Sequence, residues 1–402
     1  MFKWRQNSRI GERLRLLRLY QRGGQNKRFK ITLNYETMPI SVIKNLKNFY
    51  DKYERRASFA ALLIGFALDS LTLRRVDLWI ENLAIIFYLF AAGAAIVLIN
   101  FHGAGRLRGR IFEKYTFLLP IVLQLVFGGL FSVFVVFYSR SASFAKSWPF
   151  ILALAIFFVG NEFFRKRYLR LAFQINVYFV ALFSYSVFAV PVLFGKMGAD
   201  IFILSGFISI FLIGVFILLL FYTASEKIKQ SRFLLASSIG CVYVAFHIFY
   251  FTNIIPPIPL SMKESGVYHG ISRNDSGGYA VSYEPASWYY FFEESNSVFH
   301  WKRGEPIYFY SAVFAPTKIN TNIFHRWSYF DGQKDKWIVK SDLSFPITGG
   351  RDGGYRGYSL KGNVAPGKWR VDVITDRGQI LGRRTFSVVE SDFSPELETA
   401  VH

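Results

Sequence analysis

The clearest chemical potential in this chain lies in a group of charged residues at the start of its apolar part. The group consists of Asp69, Arg74, Arg75, Asp77 and Glu81. Charged side chains are costly inside a bilayer, so their presence indicates an ion, proton or lipid-headgroup site by default. The alternative, which we favour, is a charged hairpin in which the two arginines neutralise Asp69 and hold two helices in register.

A second candidate for chemistry is a serine and a histidine on two late apolar runs. Ser205 and His247 are expected at a similar depth, which an intramembrane serine hydrolase of the rhomboid type requires of its nucleophile and base. Such proteases place a glycine two residues before the serine, where this chain has Ile203. A buried serine usually bonds to its own helix and a lone histidine usually packs, so the hydrolase is a remote alternative and no catalytic residue is predicted.

Ligand-binding candidates are concentrated near the C-terminus, where aromatic residues are frequent. His325 and Trp327 are two residues apart, so on a strand their side chains share one face and could form the floor of a ligand groove. The more common arrangement is a core tryptophan beside a hydrogen-bonded histidine, and we favour it. Trp369, Trp288 and Tyr290 are further candidates, because exposed aromatic rings stack on sugars or receive a partner.

Metal, nucleotide and cofactor sites are not predicted. The single cysteine, Cys241, excludes a cysteine-based zinc site, and no histidine–carboxylate spacing resembles a metal motif. The glycine-rich segments 103–105 and 349–354 lack the strand–loop–helix setting and the lysine that a phosphate loop requires. We interpret both segments as turns.

Long apolar runs must position these residues, and each is compatible with a membrane-spanning helix of about 20 residues. The sequence predicts about seven transmembrane helices within residues 57–251. Their approximate limits are Ser58–Leu73, Leu78–Asn100, Thr116–Ser139, Trp148–Asn161, Leu171–Leu193, Ile201–Thr223 and Phe233–Phe251.

The net charge of +21 is unevenly distributed along the chain. Residues 1–56 carry 15 Lys/Arg against four acidic residues, whereas residues 262–402 carry 17 against 16. The tail 1–56 contains basic amphipathic helical patterns, which favour the membrane surface over a cytosolic partner. If this tail is cytoplasmic, the inside loops hold 11 Lys/Arg and the outside loops five. The charge therefore indicates a lipid bilayer rather than nucleic acid as the partner.

After the last apolar run, the pattern of the sequence changes. A proline-rich linker, 252–262, is followed by short alternating segments separated by turn residues over 263–390, and a tail, 391–402. Many short strands at about ten-residue spacing are typical of an all-β, Ig-like sandwich. With an odd number of spans, this domain is expected outside the cytoplasm.

Part of this domain resembles the bacterial domain-of-unknown-function family 2914. The resemblance covers roughly residues 304–390 and depends on the segments Phe314-Ala315-Pro316, His325-Arg326-Trp327 and Gly367-Lys368-Trp369-Arg370-Val371. The charged hairpin also resembles the membrane part of proteins that carry this domain. The resemblance implies a bacterial membrane protein, and it implies no activity.

These observations favour a multi-pass protein of the bacterial cytoplasmic membrane, without enzymatic activity. Its β-sandwich would bind an envelope glycan, a peptide or a partner protein outside the cytoplasm. The alternative is a transporter or receptor whose helices carry the activity and whose β domain acts as a cap or sensor. The sequence does not indicate an oligomeric state.

Overall fold

The protein is described by a computed structural model that covers residues 64, 66–71, 78–105, 119–141, 144–161, 170–274, 278–285, 298–316, 319–393 and 395–402. All of these belong to one compact unit, Ala57–His402. The predicted basic tail, 1–56, lies outside the described residues, as do Arg74, Arg75, Asp77, Trp288 and Tyr290.

The first half of this unit is helical because its apolar runs are long and contain few residues that break helices. The helices are α1 (Trp79–Gly103), α2 (Leu119–Arg140), α3 (Phe144–Gly160), α4 (Leu171–Phe194) and α5 (Ala199–Phe251). Residues 64 and 66–71 are also helical. The central helix is α4, since most of its apolar window is buried inside the bundle. Stacked aromatic rings, such as Phe183 on Phe246 at 4.3 Å, fill the space between α4 and α5.

Helix α5 contains 53 residues, but it is folded back on itself. Ala224 has non-helical dihedral angles, with φ −139° and ψ 42°. The ring of Phe202 stacks on the ring of Tyr250 with their centroids 3.7 Å apart, so the two ends of the helix lie side by side. The two arms, 199–223 and 225–251, are therefore antiparallel. The sequence pattern had separated them as the spans Ile201–Thr223 and Phe233–Phe251.

The predicted number of seven transmembrane helices is not supported by the structure. Among the described residues, four helices are long and apolar enough to cross a membrane: α1, α2, α4 and α5. The apolar stretch Lys146–Gly160 of α3 is shorter than such a span. The first predicted span, Ser58–Leu73, is described only at residues 64 and 66–71. The difference from seven has two causes among the described residues: the last two predicted spans are the two arms of α5, and α3 is shorter than a span.

The second half of the unit is a β domain of eleven strands in three sheets. Its strands are β1 (Ser261–Tyr268), β2 (Gly270–Arg273), β3 (Tyr279–Tyr283), β4 (Val298–Trp301), β5 (Ile307–Phe314), β6 (Asn320–Asp331), β7 (Lys336–Thr348), β8 (Tyr355–Lys361), β9 (Gly367–Thr375), β10 (Ile380–Glu390) and β11 (Glu398–Val401). The sheets have the orders β1-β5-β8, β4-β10-β9-β6-β7 and β11-β3-β2. The pairs between these strands are antiparallel except for β4 with β10.

The main core of the β domain lies between the sheet β1-β5-β8 and the five-stranded sheet. Phe309 of β5 packs there with Trp327 of β6 and Val371 of β9, all of them buried. A smaller core around Tyr268, Val281 and Tyr310 joins the sheet β1-β5-β8 to the small sheet β11-β3-β2. The prediction of a helical part followed by a β-sheet domain is thus confirmed at this level.

The β domain contacts the helices through the turn between β9 and β10. The guanidinium carbon of Arg377 lies 3.9 Å from the centroid of the Tyr250 ring, near the end of α5. Gln379 Nε2 donates a hydrogen bond to the carbonyl oxygen of Ile255 at 3.2 Å, and Asn253 Nδ2 donates one to the carbonyl oxygen of Arg377 at 3.2 Å. These contacts fix one end of the β domain against the bundle.

Candidate functional site

The described part of the charged hairpin links the first helical segment to α2. Ser132 Oγ donates a hydrogen bond to Asp69 Oδ2 at 2.5 Å, and Arg140 Nη2 donates one to the carbonyl oxygen of Ser70 at 2.8 Å. Glu81 is buried in the first turn of α1. Because these contacts connect neighbouring helices, they agree with the interpretation that the hairpin holds helices in register. The roles predicted for Arg74, Arg75 and Asp77 lie outside the described residues.

Ser205 and His247 lie on neighbouring arms of α5, but each bonds to its own helix. Ser205 Oγ donates to the carbonyl oxygen of Ile201 at 2.8 Å, and His247 Nδ1 lies 2.9 Å from the carbonyl oxygen of Tyr243. The imidazole also packs against the Tyr243 ring, with centroids 4.2 Å apart. This is the packing arrangement that the sequence favoured over a nucleophile and its base.

The predicted ligand residues of the β domain are core residues. His325 and Trp327 are fully buried, and Trp369 is only 2% exposed. His325 Nε2 lies 2.7 Å from Ser311 Oγ, and its Nδ1 lies 2.9 Å from Ser359 Oγ. A neutral imidazole has one donor and one acceptor nitrogen, so both ring nitrogens are satisfied. No surface of these three side chains is open to a ligand, whereas Trp288 and Tyr290 lie outside the described residues.

Burial determines the protonation state of this histidine. It lowers the pKa of His325 to about 3, because the charged form would lose its hydration inside the sandwich. The residue is therefore neutral at physiological pH. Its two serine partners belong to β5 and β8, so the imidazole connects the two facing sheets.

A polar pocket that the sequence did not reveal lies on the surface of the β domain. It has a volume of about 330 Å³ and combines the end of β2, the start of β3 and the connection from β7 to β8. Its lining residues are Arg273, Tyr279, Arg351, Gly353, Gly354, Tyr355 and Arg356. We call this cavity the arginine pocket.

Two glycines allow the β7–β8 connection to form one wall of this pocket. A Cβ atom on Gly349 would lie 1.8 Å from the carbonyl oxygen of Pro316. Gly354 has a φ of +84°, which side chains with a Cβ rarely adopt. The backbone N–H groups of Gly349 and Gly350 donate to the carbonyl oxygens of Ile319 and Ala315, at 2.9 and 3.0 Å. The loop is thus fixed against the start of β6, near the end of the domain that contacts the bundle.

The described lining of the arginine pocket includes three guanidinium groups and no carboxylate. Among the described residues, Arg273, Arg351 and Arg356 form no ion pair and no side-chain hydrogen bond with a carboxylate. The guanidinium of Arg351 lies 5.3 Å from the ring centroid of Tyr355. Guanidinium groups match the geometry of phosphate and carboxylate oxygens, and tyrosine hydroxyls add further donors. The arrangement is suited to binding an anion.

A signal for this pocket existed in the sequence, but it was incomplete. Arg351 lies within the glycine-rich segment 349–354 and Arg356 follows it, but we interpreted this segment only as a turn. Arg273 and Tyr279 lie more than seventy residues earlier, and no spacing rule connects them to that segment. Their proximity arises because the small sheet β11-β3-β2 folds over the outer face of the sheet β1-β5-β8.

A separate histidine–glutamate cluster lies where β1 and β2 meet β4. Glu284 Oε1 is 2.8 Å from His269 Nε2, and its Oε2 is 2.6 Å from His300 Nδ1. The backbone N–H of His300 also donates to Oε1 at 2.7 Å. Burial by itself would raise the pKa of Glu284, but these hydrogen bonds outweigh it and lower the pKa. Within the described ranges, no group of three such side chains has the geometry to hold a metal ion.

Part of the β domain matches the model of a known family. Residues 320–388 match the family described as "Protein of unknown function (DUF2914)". The matched range spans β6 to β9 and most of β10. The resemblance predicted from the sequence is thereby confirmed. No curated protein matches the chain.

One solved structure aligns with the chain without informing its function. It is the Pseudomonas fluorescens alkylpurine DNA glycosylase AlkC bound to DNA containing an abasic site analog. The alignment covers 78% of this chain and 99% of that one, at 9% identity and a TM-score of 0.21. A score this low does not indicate a shared fold.

Proposed function

We propose that this protein is a bacterial cytoplasmic-membrane protein whose extracytoplasmic β domain binds an anionic component of the cell envelope in the arginine pocket. The observation that carries the proposal is the convergence of Arg273, Arg351 and Arg356 around one cavity. The four long apolar helices support the membrane location. The activity is binding rather than catalysis, and the ligand is expected to carry phosphate or carboxylate groups, as acidic glycans and peptides do.

The placement of basic residues within the bundle supports the orientation. Arg170 and Lys227 line one cavity, and a Cβ atom on Gly103 would lie 2.8 Å from Lys227 Nζ. The helix ends nearest the predicted inside loops therefore lie at one end of the bundle. The β domain contacts the opposite end, near Tyr250. Because basic residues remain on the cytoplasmic side, the β domain is expected outside, whatever the number of spans.

The position of the arginine pocket supports a ligand close to the membrane surface. The pocket's loop bonds to Ile319, and Thr321 lines a cavity at the junction between the β domain and the bundle. A soluble anion would gain nothing from that location, whereas an acidic glycan attached to the membrane would be held within reach. We therefore favour an acidic envelope glycan over a peptide.

The proposal is tested by binding measurements on the full-length protein in nanodiscs of zwitterionic lipid. The probes are a fluorescently labelled poly(glycerol phosphate) chain and neutral dextran of similar length. We expect saturable binding of the anionic chain only. The double variant Arg351→Gln/Arg356→Gln should weaken it at least tenfold, because each charge-assisted hydrogen bond contributes about 1.5–3 kcal/mol.

Lys302 and Arg303 provide a matched control, because both are exposed basic residues between β4 and β5. The variant Lys302→Gln/Arg303→Gln removes the same charge and should change the affinity less than twofold. An equal loss in both double variants would mean non-specific attraction to a basic surface. Absence of binding to a folded wild-type protein would leave the β domain as a structural cap.

The charged hairpin supports a second candidate, a receptor or transporter whose helices carry the activity. Asp69 accepts its hydrogen bond from Ser132 of α2, so a carboxylate lies among apolar helices. The variants Asp69→Asn and Glu81→Gln would distinguish the candidates. Normal expression and normal glycan binding with a lost transport or signalling phenotype would favour the helices as the active part. An unchanged phenotype would restrict the hairpin to a structural role.

A further inference from the structure

A second basic cavity lies at the end of the bundle opposite the β domain. It has a volume of about 540 Å³ and is formed by the first turns of α4 and the start of the second arm of α5. Its lining residues are Arg170, Leu171, Ala172, Phe173, Asn176, Lys227, Gln230, Ser231, Leu234 and Ser238. We call it the bundle cavity.

The cations of the bundle cavity have no carboxylate partner among the described residues. The carboxylate of Glu226, one residue before Lys227, lies 3.4 Å from Lys229 instead. Arg170 is the residue before α4, and its own side chain makes no capping hydrogen bond at that helix terminus. The positive end of the α4 helix dipole adds to the potential of Arg170 and Lys227.

A buried polar group occupies the floor of the bundle cavity. Asn176 Nδ2 donates hydrogen bonds to the carbonyl oxygen of Ala172 at 2.7 Å and to Ser238 Oγ at 2.8 Å. Asn176 Oδ1 is buried and accepts no hydrogen bond from the described residues. The two hydrogen bonds of Nδ2 connect α4 to the second arm of α5, which are the two elements that form the cavity.

The rim of the cavity is apolar, which distinguishes it from the arginine pocket. Leu234 is 60% exposed, and Phe173 and Leu171 lie beside it along the cavity wall. Apolar side chains next to unpaired cations match a molecule with an anionic head and hydrocarbon chains. Basic pockets between transmembrane helices on the cytoplasmic side bind anionic headgroups in this way.

We propose that the bundle cavity binds an anionic glycerophospholipid of the cytoplasmic leaflet. Its phosphate lies between Arg170 and Lys227, and its acyl chains lie along Leu234. The inference depends on the membrane location in the proposed function but not on glycan binding. Loss of one activity can therefore be separated from loss of the other, because the two sites share no residue.

Native mass spectrometry of the detergent-purified full-length protein provides the test. Phosphatidylglycerol, phosphatidylcholine and inorganic phosphate are added separately at equal concentration. We expect retention of phosphatidylglycerol at least tenfold above phosphatidylcholine, with no competition from equimolar phosphate. Equal retention of both lipids would overturn the proposal. Competition by phosphate alone would instead identify a free-anion site and would also overturn the lipid assignment.

Variants locate the binding within the cavity. Arg170→Gln/Lys227→Gln should reduce retention of phosphatidylglycerol at least tenfold, whereas Lys229→Gln, in the same turn but outside the lining, should change it less than twofold. Ser231→Asp adds a negative charge to the cavity without removing a contact, and it should also reduce retention if the double variant fails to fold. Unchanged retention in Ser231→Asp would overturn the proposal. Both cavity variants should still bind the labelled poly(glycerol phosphate) chain.

Discussion

The helix bundle and the β domain satisfy their buried polar side chains in different ways. In the bundle, Ser186, Ser205 and Ser209 each donate to the carbonyl oxygen four residues earlier in their own helix. In the β domain, His325 bonds to serines of two other strands. A helix presents its own carbonyl groups to a short hydroxyl side chain, whereas the carbonyl groups of a sheet are already used between strands. These three serines therefore each stabilise one helix, whereas Ser311 and Ser359 connect strands through His325. In the bundle, amide side chains connect helices, as in the hydrogen bond from Asn100 Nδ2 to Gln174 Oε1 at 2.7 Å.

The largest effect on stability is expected for Trp327→Ala in the β domain. Trp327 is fully buried, and its Nε1 donates to Ser359 Oγ at 3.1 Å, so the change creates a cavity and removes one partner of the His325 network. We expect a loss of about 3–5 kcal/mol in the free energy of unfolding. Thermal unfolding of the full-length protein, followed by tryptophan fluorescence, measures it. A loss under about 1 kcal/mol would mean that the sandwich core is not the stabilising element that its packing indicates.

The second test uses pH and addresses the buried imidazole. The unfolded chain protonates His325 below its ordinary pKa of 6.5, whereas the folded protein does so only near pH 3. Stability should therefore decrease as pH falls from 6.5 towards 3, by up to about 4 kcal/mol from this residue. Glu284, whose pKa is lowered in the fold, loses its contribution only as pH falls below the usual range for a glutamate.

The contributions of His325 and Glu284 to the pH dependence of stability can be separated between pH 6.5 and 5, where Glu284 remains ionised. Unfolding midpoints of the wild type and His325→Gln at pH 7 and pH 5 should show a larger acid-induced decrease in the wild type. An identical decrease in both proteins would show that His325 does not govern the pH dependence in this window.

The third test compares two aspartates on the outer face of the five-stranded sheet. Asp372 is buried and pairs with Arg383, whose Nη2 lies 3.0 Å from Asp372 Oδ2. Asp342 pairs with Arg326 at 2.7 Å, but both side chains of this pair are exposed to solvent. We expect Asp372→Ala to cost about 2–3 kcal/mol, because it leaves partly buried guanidinium groups unpaired, and Asp342→Ala to cost under about 1 kcal/mol. Equal losses in chemical denaturation would contradict the difference in burial.

The smallest effect is expected in the bundle. Ser205→Ala removes a hydrogen bond that Ser205 makes only within its own helix, so the free energy of unfolding should change by less than about 1 kcal/mol. The variant should also retain glycan and lipid binding. A loss of activity in Ser205→Ala without a loss of stability would favour the hypothesis of an intramembrane hydrolase with His247 as its base.

Several features of the fold were predictable from local pattern. The start of α4 at Leu171 and the limits of α1 follow from apolar length, and most of β9 follows from the alternation in Lys368–Thr375. Local pattern separated the two arms of α5 near Ala224, but it did not show that these arms lie side by side. Local pattern also did not decide whether His325 and Trp327 lie in the core or in a ligand groove. Alternation shows that two residues share a face of a strand, but it does not show what covers that face.

The sequence by itself determined the division into apolar helices and a β domain, the asymmetry of charge and the match of residues 320–388 to a family model. These properties depend on composition and on short spacings, which a linear pattern records. Only the tertiary structure decided that Arg273 lines one pocket with Arg351 and Arg356. It likewise decided that Arg170 and Lys227 line one cavity with Asn176. Each site combines residues from elements far apart in the chain, and the packing of sheets and helices, rather than any local preference, determines which of them come together.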